Sequence, residues 1–222
     1  MKQSVLVIGL GRFGTAAAHE LMALGHEVLV VDRDEARVND VAPDVTSAIQ
    51  ADASGAEALE AIGAADFHHA IVAITGDAQS SIFATMALRT LGVQNIVAKA
   101  GTSLHGAILE RVGATHVVYP EREMGARVAH VFASRHVIDY LDVAPGFGIV
   151  RFAVPAEWVG RTFGELDLAG RGITVGAIRR GDLLTVLPDA SATVGDGDEL
   201  VLIGADDRIA RLEPGGDGAV SR

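Results

Sequence analysis

Residues 5–14 read VLVIGLGRFG and run on into TAAAHEL at 15–21. An apolar run of strand length meets G-x-G-x-x-G at Gly9, Gly11 and Gly14 and opens at once into an alanine-rich helical stretch. Each glycine has a physical reason. The first allows a tight turn, the second lets a pyrophosphate approach the backbone, and the third lets the helix pack on the strand. Asp32, 18 residues after Gly14, closes the second apolar run. There it can hydrogen-bond a ribose diol and disfavour a 2'-phosphate, and it can also cap the helix that follows.

From Ser4 to Tyr119, short β-branched runs alternate with alanine-rich amphipathic stretches. The strand candidates are Val5–Ile8, Val28–Val31, Thr46–Gln50, Ala70–Ile74, Asn95–Ala98 and Val117–Tyr119, with helices beginning near Arg12, Asp34, Ser54, Asp77 and Ser103. Near-continuous apolar strands alternating with helices call for a parallel sheet covered on both faces, a doubly wound Rossmann-like α/β domain over 1–119. Residues 120–141, PEREMGARVAHVFASRHVIDYL, read as one helical stretch with apolar positions at Met124, Val128, Val131 and Phe132. With the break APGFG at 144–148, this gives a helix and linker over 120–144. Turn signals at 179–182 and 195–198 separate short strands at Ile149–Val154, Ile173–Arg179, Leu183–Leu187 and Glu199–Ile203. They predict a small α+β module over 145–212, followed by a flexible tail over 213–222.

Composition narrows the function. Against 18 Lys+Arg stand 29 Asp+Glu, a formal charge of −11 that argues against a broad nucleic-acid or anionic-membrane surface. A bound phosphate would then rest on backbone N–H groups, helix N-termini and a few placed cations. The absence of cysteine removes disulfides, thiolate metal sites and a cysteine nucleophile, and fits a reducing cytoplasm. No apolar run approaches the roughly 18 residues of a membrane span, and MKQSVLVIGLGRFG has neither the length nor the cleavage site of a signal region. The expectation is a soluble cytoplasmic protein without direct membrane insertion.

Further polar residues stand where parallel strands end, the ligand-binding edge of such sheets. Arg12 lies inside the glycine loop, where a guanidinium can grip phosphate oxygens in its own site or across an interface, or simply stay solvated. Asp52 follows the third strand, within reach of an adenine or its ribose. Thr75, Gly76 and Asp77 follow the fourth strand, Lys99 the fifth and Glu121 the sixth. Lys99 can supply charge to phosphates, and Glu121 can ligate a divalent cation bridging them. Phe13, Arg33 and Ala53, beside these positions, complete the candidate cofactor-binding set. His68 and His69 lack a third ligand and read as exposed loop residues.

The segments VIGLGRFG, VVDRD, AIVAITGDAQSSIFATMALRTLG, IVAKA and YPEREMGARVA together resemble the cytoplasmic RCK regulatory subunits of bacterial Trk/Ktr-type potassium uptake systems. The resemblance spans nearly the whole chain in the single-unit, Ktr-like arrangement, without internal repeat. It implies an N-terminal RCK domain, a crossover helix and a C-terminal RCK module. The implied ligands are ATP, ADP and, in some members, NAD(H), with Mg or Ca at the nucleotide-site interface. The implied assembly is a homodimer, then an octameric ring, beneath a membrane potassium channel subunit of TrkH/KtrB type. Carried over by motif, Gly9, Gly11 and Gly14 would line the phosphates and Arg12 would reach the γ-phosphate of a neighbouring subunit's ATP. Asp32 would hold the ribose and Asp52 would lie near adenine. Lys99 and Glu121 would act at the phosphate end, with Glu121 the metal candidate. Some relatives bind cyclic di-AMP in the C-terminal module, but FGELDLAGRGITVGAI is one residue short of that pattern with Arg171 displaced, so that site is not assigned.

Two other readings stand beside this one: an NAD-dependent oxidoreductase and an NAD(H) redox sensor. The oxidoreductase wants an acid–base residue in the second domain, yet all eight histidines lie at or before His136. An aromatic content of 5% offers little for a substrate pocket. A regulatory subunit that is not an enzyme is therefore expected.

Overall fold

The computed structural model of the chain describes residues 2–74 and 76–212. Thr75 and the tail expected over 213–222 lie outside the described residues. The chain divides into two compact units between Glu121 and Arg122.

The first unit runs β1 (Ser4–Ile8), α1 (Arg12–Ala23), β2 (Glu27–Asp32), α2 (Glu35–Val41), β3 (Ser47–Gln50), α3 (Ala56–Ala61), β4 (His69–Val72), α4 (Ala78–Thr90), β5 (Asn95–Lys99), α5 (Ser103–Val112) and β6 (His116–Val118). Its six strands are parallel, in the order β3-β2-β1-β4-β5-β6. Alternate residues of β1 and β2 serve opposite faces. Leu6, Ile8, Leu29 and Val31 enter one apolar cluster, and Val5, Val7, Val28 and Val30 enter the other. A strand with two buried faces has no place for polar alternation, which is why these segments are continuously apolar. The sheet order reverses between β1 and β4, and a crevice at the carboxyl ends of the strands follows from that reversal. Asp34, Asp77 and Thr102 cap α2, α4 and α5 through their side chains. The helix expected near Ser54 begins at Ala56.

The second unit contains most of α6 (Pro120–Ala133), then β7 (Val137–Ala144), β8 (Phe147–Ala153), α7 (Phe163–Leu166), β9 (Ile173–Arg180), β10 (Leu183–Val186), β11 (Glu199–Ala205) and α8 (Asp206–Ala210). Its five strands form an antiparallel sheet ordered β10-β9-β11-β8-β7. Phe152 and Trp158, with ring centroids 5.6 Å apart, sit in its core with Leu200, Leu202 and Leu166.

The single helical stretch expected over 120–141 is corrected here. The helix ends at Ala133, and 137–144 form β7. The Ser134 hydroxyl accepts from the backbone N–H groups of His136 (3.3 Å) and Val137 (3.2 Å), a local turn that competes with helix continuation. Of the apolar positions expected on α6, Val131 packs against the second unit's core. Met124, Val128 and Phe132 are 52%, 47% and 88% exposed.

Candidate functional site

The glycine loop is fixed by its own backbone. Gly9 has φ +95°, and a Cβ there would stand 2.9 Å from the Ile74 nitrogen. A Cβ on Gly14 would overlap the Gly9 carbonyl oxygen, so the first turn of α1 lies directly against the loop. No side chain caps α1 at Gly11, and its first turn carries no acid. The N-terminal end of that helix dipole thus keeps its positive character for an anionic ligand.

Asp32 stands at the end of β2, 8% exposed. One carboxylate oxygen accepts from the Leu10 N–H at 2.5 Å and the other from the Asp34 N–H at 2.9 Å. The residue expected to hold a ribose therefore also pins the glycine loop to β2. A carboxylate offers about four lone-pair sites, so both roles fit together. The side-chain cap of α2 is Asp34, not Asp32.

These residues open on one cavity of about 340 Å³, within the usual range for small-molecule sites. Gly9, Gly11, Arg12, Phe13, Asp32, Arg33, Asp52, Ala53, Lys99 and Glu121 all line it, as do Asp77 and Ser80. Gly14 is not in the lining and acts from beneath the loop. Thr75 lies outside the described residues. His68 is exposed and His69 half-buried, away from the cavity lining.

Two polar lining residues escaped the sequence reading. Arg37, in α2, approaches Asp32 at 3.7 Å and Asp34 at 3.5 Å. Only the three-residue spacing from Asp34 hinted at it. Ser80 donates its hydroxyl to Asp77 at 2.7 Å, and its N–H bonds the same carboxylate. The Ser80 hydroxyl and then its N–H hold the Asp77 carboxyl below its usual range. Bonds from Ser54 do the same for Asp52.

At the far end, Lys99 donates to Glu121 at 2.6 Å and lies 5.9 Å above the centre of the Phe13 ring. That hydrogen bond is the leading reason the Glu121 carboxyl is lowered. Among the described residues, no three His, Asp or Glu side chains come together in a way that could hold a metal ion. Glu121 instead faces an ammonium. One chain's own residues thus do not fit a divalent cation at this point.

A parallel sheet that reverses at a glycine loop, with acids and bases around one cleft and a small antiparallel domain following in the chain, defines a nucleotide-binding Rossmann-like module joined to a second folding unit. The particular family follows from comparison. Residues 5–120 match the TrkA-N domain and residues 149–214 the TrkA-C domain. The chain belongs to this TrkA-N/TrkA-C family of potassium-transport regulatory proteins. It is 37% identical over 214 residues to the Ktr system potassium uptake protein C of Bacillus subtilis (strain 168), covering 96% of this chain and 97% of that one. It is 34% identical to the Ktr system potassium uptake protein A of Vibrio alginolyticus, covering 92% and 93%. The crystal structure of the GsuK RCK domain superposes with a TM-score of 0.67 at 19% identity, over 96% of this chain and 47% of that one. The GsuK channel bound to NAD gives 0.52 at 25% identity, over 95% and 38%. Among the described residues, no helix is long and apolar enough to cross a membrane.

Proposed function

We propose that this chain is a nucleotide-sensing gating subunit of a bacterial potassium uptake system, a sensor and not an enzyme. It binds ATP or ADP in the Rossmann cleft, and the bound nucleotide sets the conformation of a ring assembled from homodimers. The ring lies on the cytoplasmic face of a membrane potassium channel subunit and controls its flux. The observation that carries this reading is that Asp32, expected to hold a ribose, and the cations Arg12 and Lys99 line one cavity with the glycine loop. A cleft built for a diphosphate alone has no use for a long cation in the loop. The relatives' naming as potassium uptake proteins supports the setting. The exposed apolar positions Met124, Val128 and Phe132 on α6 support assembly. A ligand can gate only through a difference in affinity between two ring conformations, and a γ-phosphate met by Arg12 across an interface supplies one.

A second reading, an NAD(H) sensor, is favoured by the NAD-bound structural neighbour. Titration calorimetry of the full chain with ATP, ADP, NAD+ and NADH separates the two. Arg12→Ala is expected to weaken ATP about tenfold more than ADP, the scale of one charge-assisted contact to phosphate. Equal losses for ATP and ADP would remove the γ-phosphate role. Binding of NAD(H) alone would replace the gating reading by a redox one.

A further inference from the structure

Lys99 ends β5 with its side chain 7% exposed, whereas Glu121, at 2.6 Å, is 66% exposed. The asymmetry matters. A buried ammonium needs a counter-charge close by, because desolvation without one is costly. An exposed carboxylate, by contrast, loses little by leaving. The two residues stand on the wall of the same cavity, with the Phe13 ring beneath the ammonium in the first turn after the glycine loop. Around that cavity the charged lining residues balance: Arg12, Arg33, Arg37 and Lys99 against Asp32, Asp52, Asp77 and Glu121. Of these cations, Arg37 and Lys99 already have acids at ion-pair distance, so a polyphosphate that engages Lys99 must take it from Glu121.

We infer that Glu121 is the resident counter-ion of Lys99, and that the terminal phosphate of a bound nucleotide takes the Lys99 ammonium from it. The inference rests on the nucleotide-binding reading above and names what the phosphate end does. It also gives Glu121 a role that one chain's own residues support, where no cluster of acids is present among the described residues. The exchange places the ligand's effect at a helix end. Glu121 is the second residue of α6, so loss of its partner leaves its charge uncompensated in the first turn of the helix that leads into the second unit. The released carboxylate stays at a helix N-terminus, where the dipole favours an anion. This is a local event that two conformations can sense differently, the requirement for a ligand to shift a population.

The test is calorimetry on the full chain in EDTA, with ATP and with inorganic tripolyphosphate as the probes. The proteins are the wild type, Glu121→Gln, Lys99→Gln and the double variant, with circular dichroism to establish folding. Lys99→Met replaces the glutamine variant if that one fails to fold. Removing the competing charge is expected to tighten both probes about tenfold, the scale of one unit charge close to a phosphate at a partly exposed site. The gain should vanish in the Lys99 background, as a double-mutant cycle requires of a specific pair. Unchanged or weaker binding by Glu121→Gln would overturn the exchange. So would the same gain without Lys99, or a loss that appears only when magnesium or calcium is restored, the behaviour of a cation ligand. If the wild type binds tripolyphosphate but no nucleotide, the sensing reading falls while the glutamine variant still decides the exchange. Binding of neither probe by either protein overturns both.

Discussion

Gly14→Val is expected to unfold the glycine loop while leaving the second unit intact. A Cβ at this position would overlap the Gly9 carbonyl oxygen, a backbone atom that no rotamer change can move aside. Gly9 is in turn held by its own N–H, which donates to the Val31 carbonyl at 2.8 Å, and the nearby Ile74 backbone leaves no room for side-chain bulk there. Relief therefore requires α1 to lift from the sheet, uncovering Val7 and Ala18, both fully buried. The expected cost is about 3 kcal/mol or more, the upper end for a forced overpacking that also shifts backbone. Nucleotide affinity should fall about a hundredfold or more, because the loop's N–H groups and the first turn of α1 are displaced together. The two units give separate signals. The chain's one tryptophan, Trp158, lies in the second unit's core at 7% exposure. In urea, its fluorescence midpoint should stay near the wild-type value while an earlier transition appears by far-UV circular dichroism. A Trp158 midpoint that moves as far as the circular dichroism one would mean that the two units unfold together and that the local argument is wrong.

Much of the first unit was legible because its physics is local in sequence. A buried parallel strand must be continuously apolar, a close helix approach must be glycine, and the acid that ends β2 must sit beside the loop. What stayed hidden depended on partners distant in the chain. The bond from the Leu10 N–H to Asp32 joins residues 22 apart, and no pattern at either end announces it. Arg37 and Ser80 reach the cavity from α2 and α4, outside the strand ends that the sequence argument searched. The reading of β7 as helix has a sharper cause. Val137 and Tyr140 are both buried, and a spacing of three is a helical signature. In the structure a register shift between Val137 and Asp139 brings two residues of the same strand inward at that spacing. A bulge can imitate a helix wherever only the burial period is visible. The β-branched pair Val137 and Ile138, after Ser134, was the local evidence for a strand.

Asp198→Ala is expected to be the costliest single change at a charged position of the second unit, and its cost should depend on pH. The carboxylate is fully buried, between β11 and the turn at 195–198. It accepts from the Arg180 guanidinium at 2.8 and 2.7 Å and from the Gly195 N–H at 2.6 Å. The paired bonds from Arg180 are the leading reason its pKa lies below the ordinary carboxylate value, overcoming the upward push of burial. Truncation strands the Gly195 N–H, removes a bidentate contact and leaves a void under the turn. About 3 kcal/mol at pH 7 is the expected loss for breaking such a buried, charge-assisted set. The pH dependence follows from linkage. A carboxyl whose folded pKa is depressed contributes stability that is fully present above its unfolded value of about 3.9 and is lost as pH falls through the lower folded value. Urea midpoints read by Trp158 should therefore separate wild type from variant widely at pH 7 and converge as the pH drops below about 4. Asp198→Asn keeps the shape without the charge and should fall between the two at pH 7, with a flatter acid limb than the wild type. A gap between wild type and Asp198→Ala that stays constant down to acid pH would assign the cost to packing and turn geometry and remove the ion pair from the account.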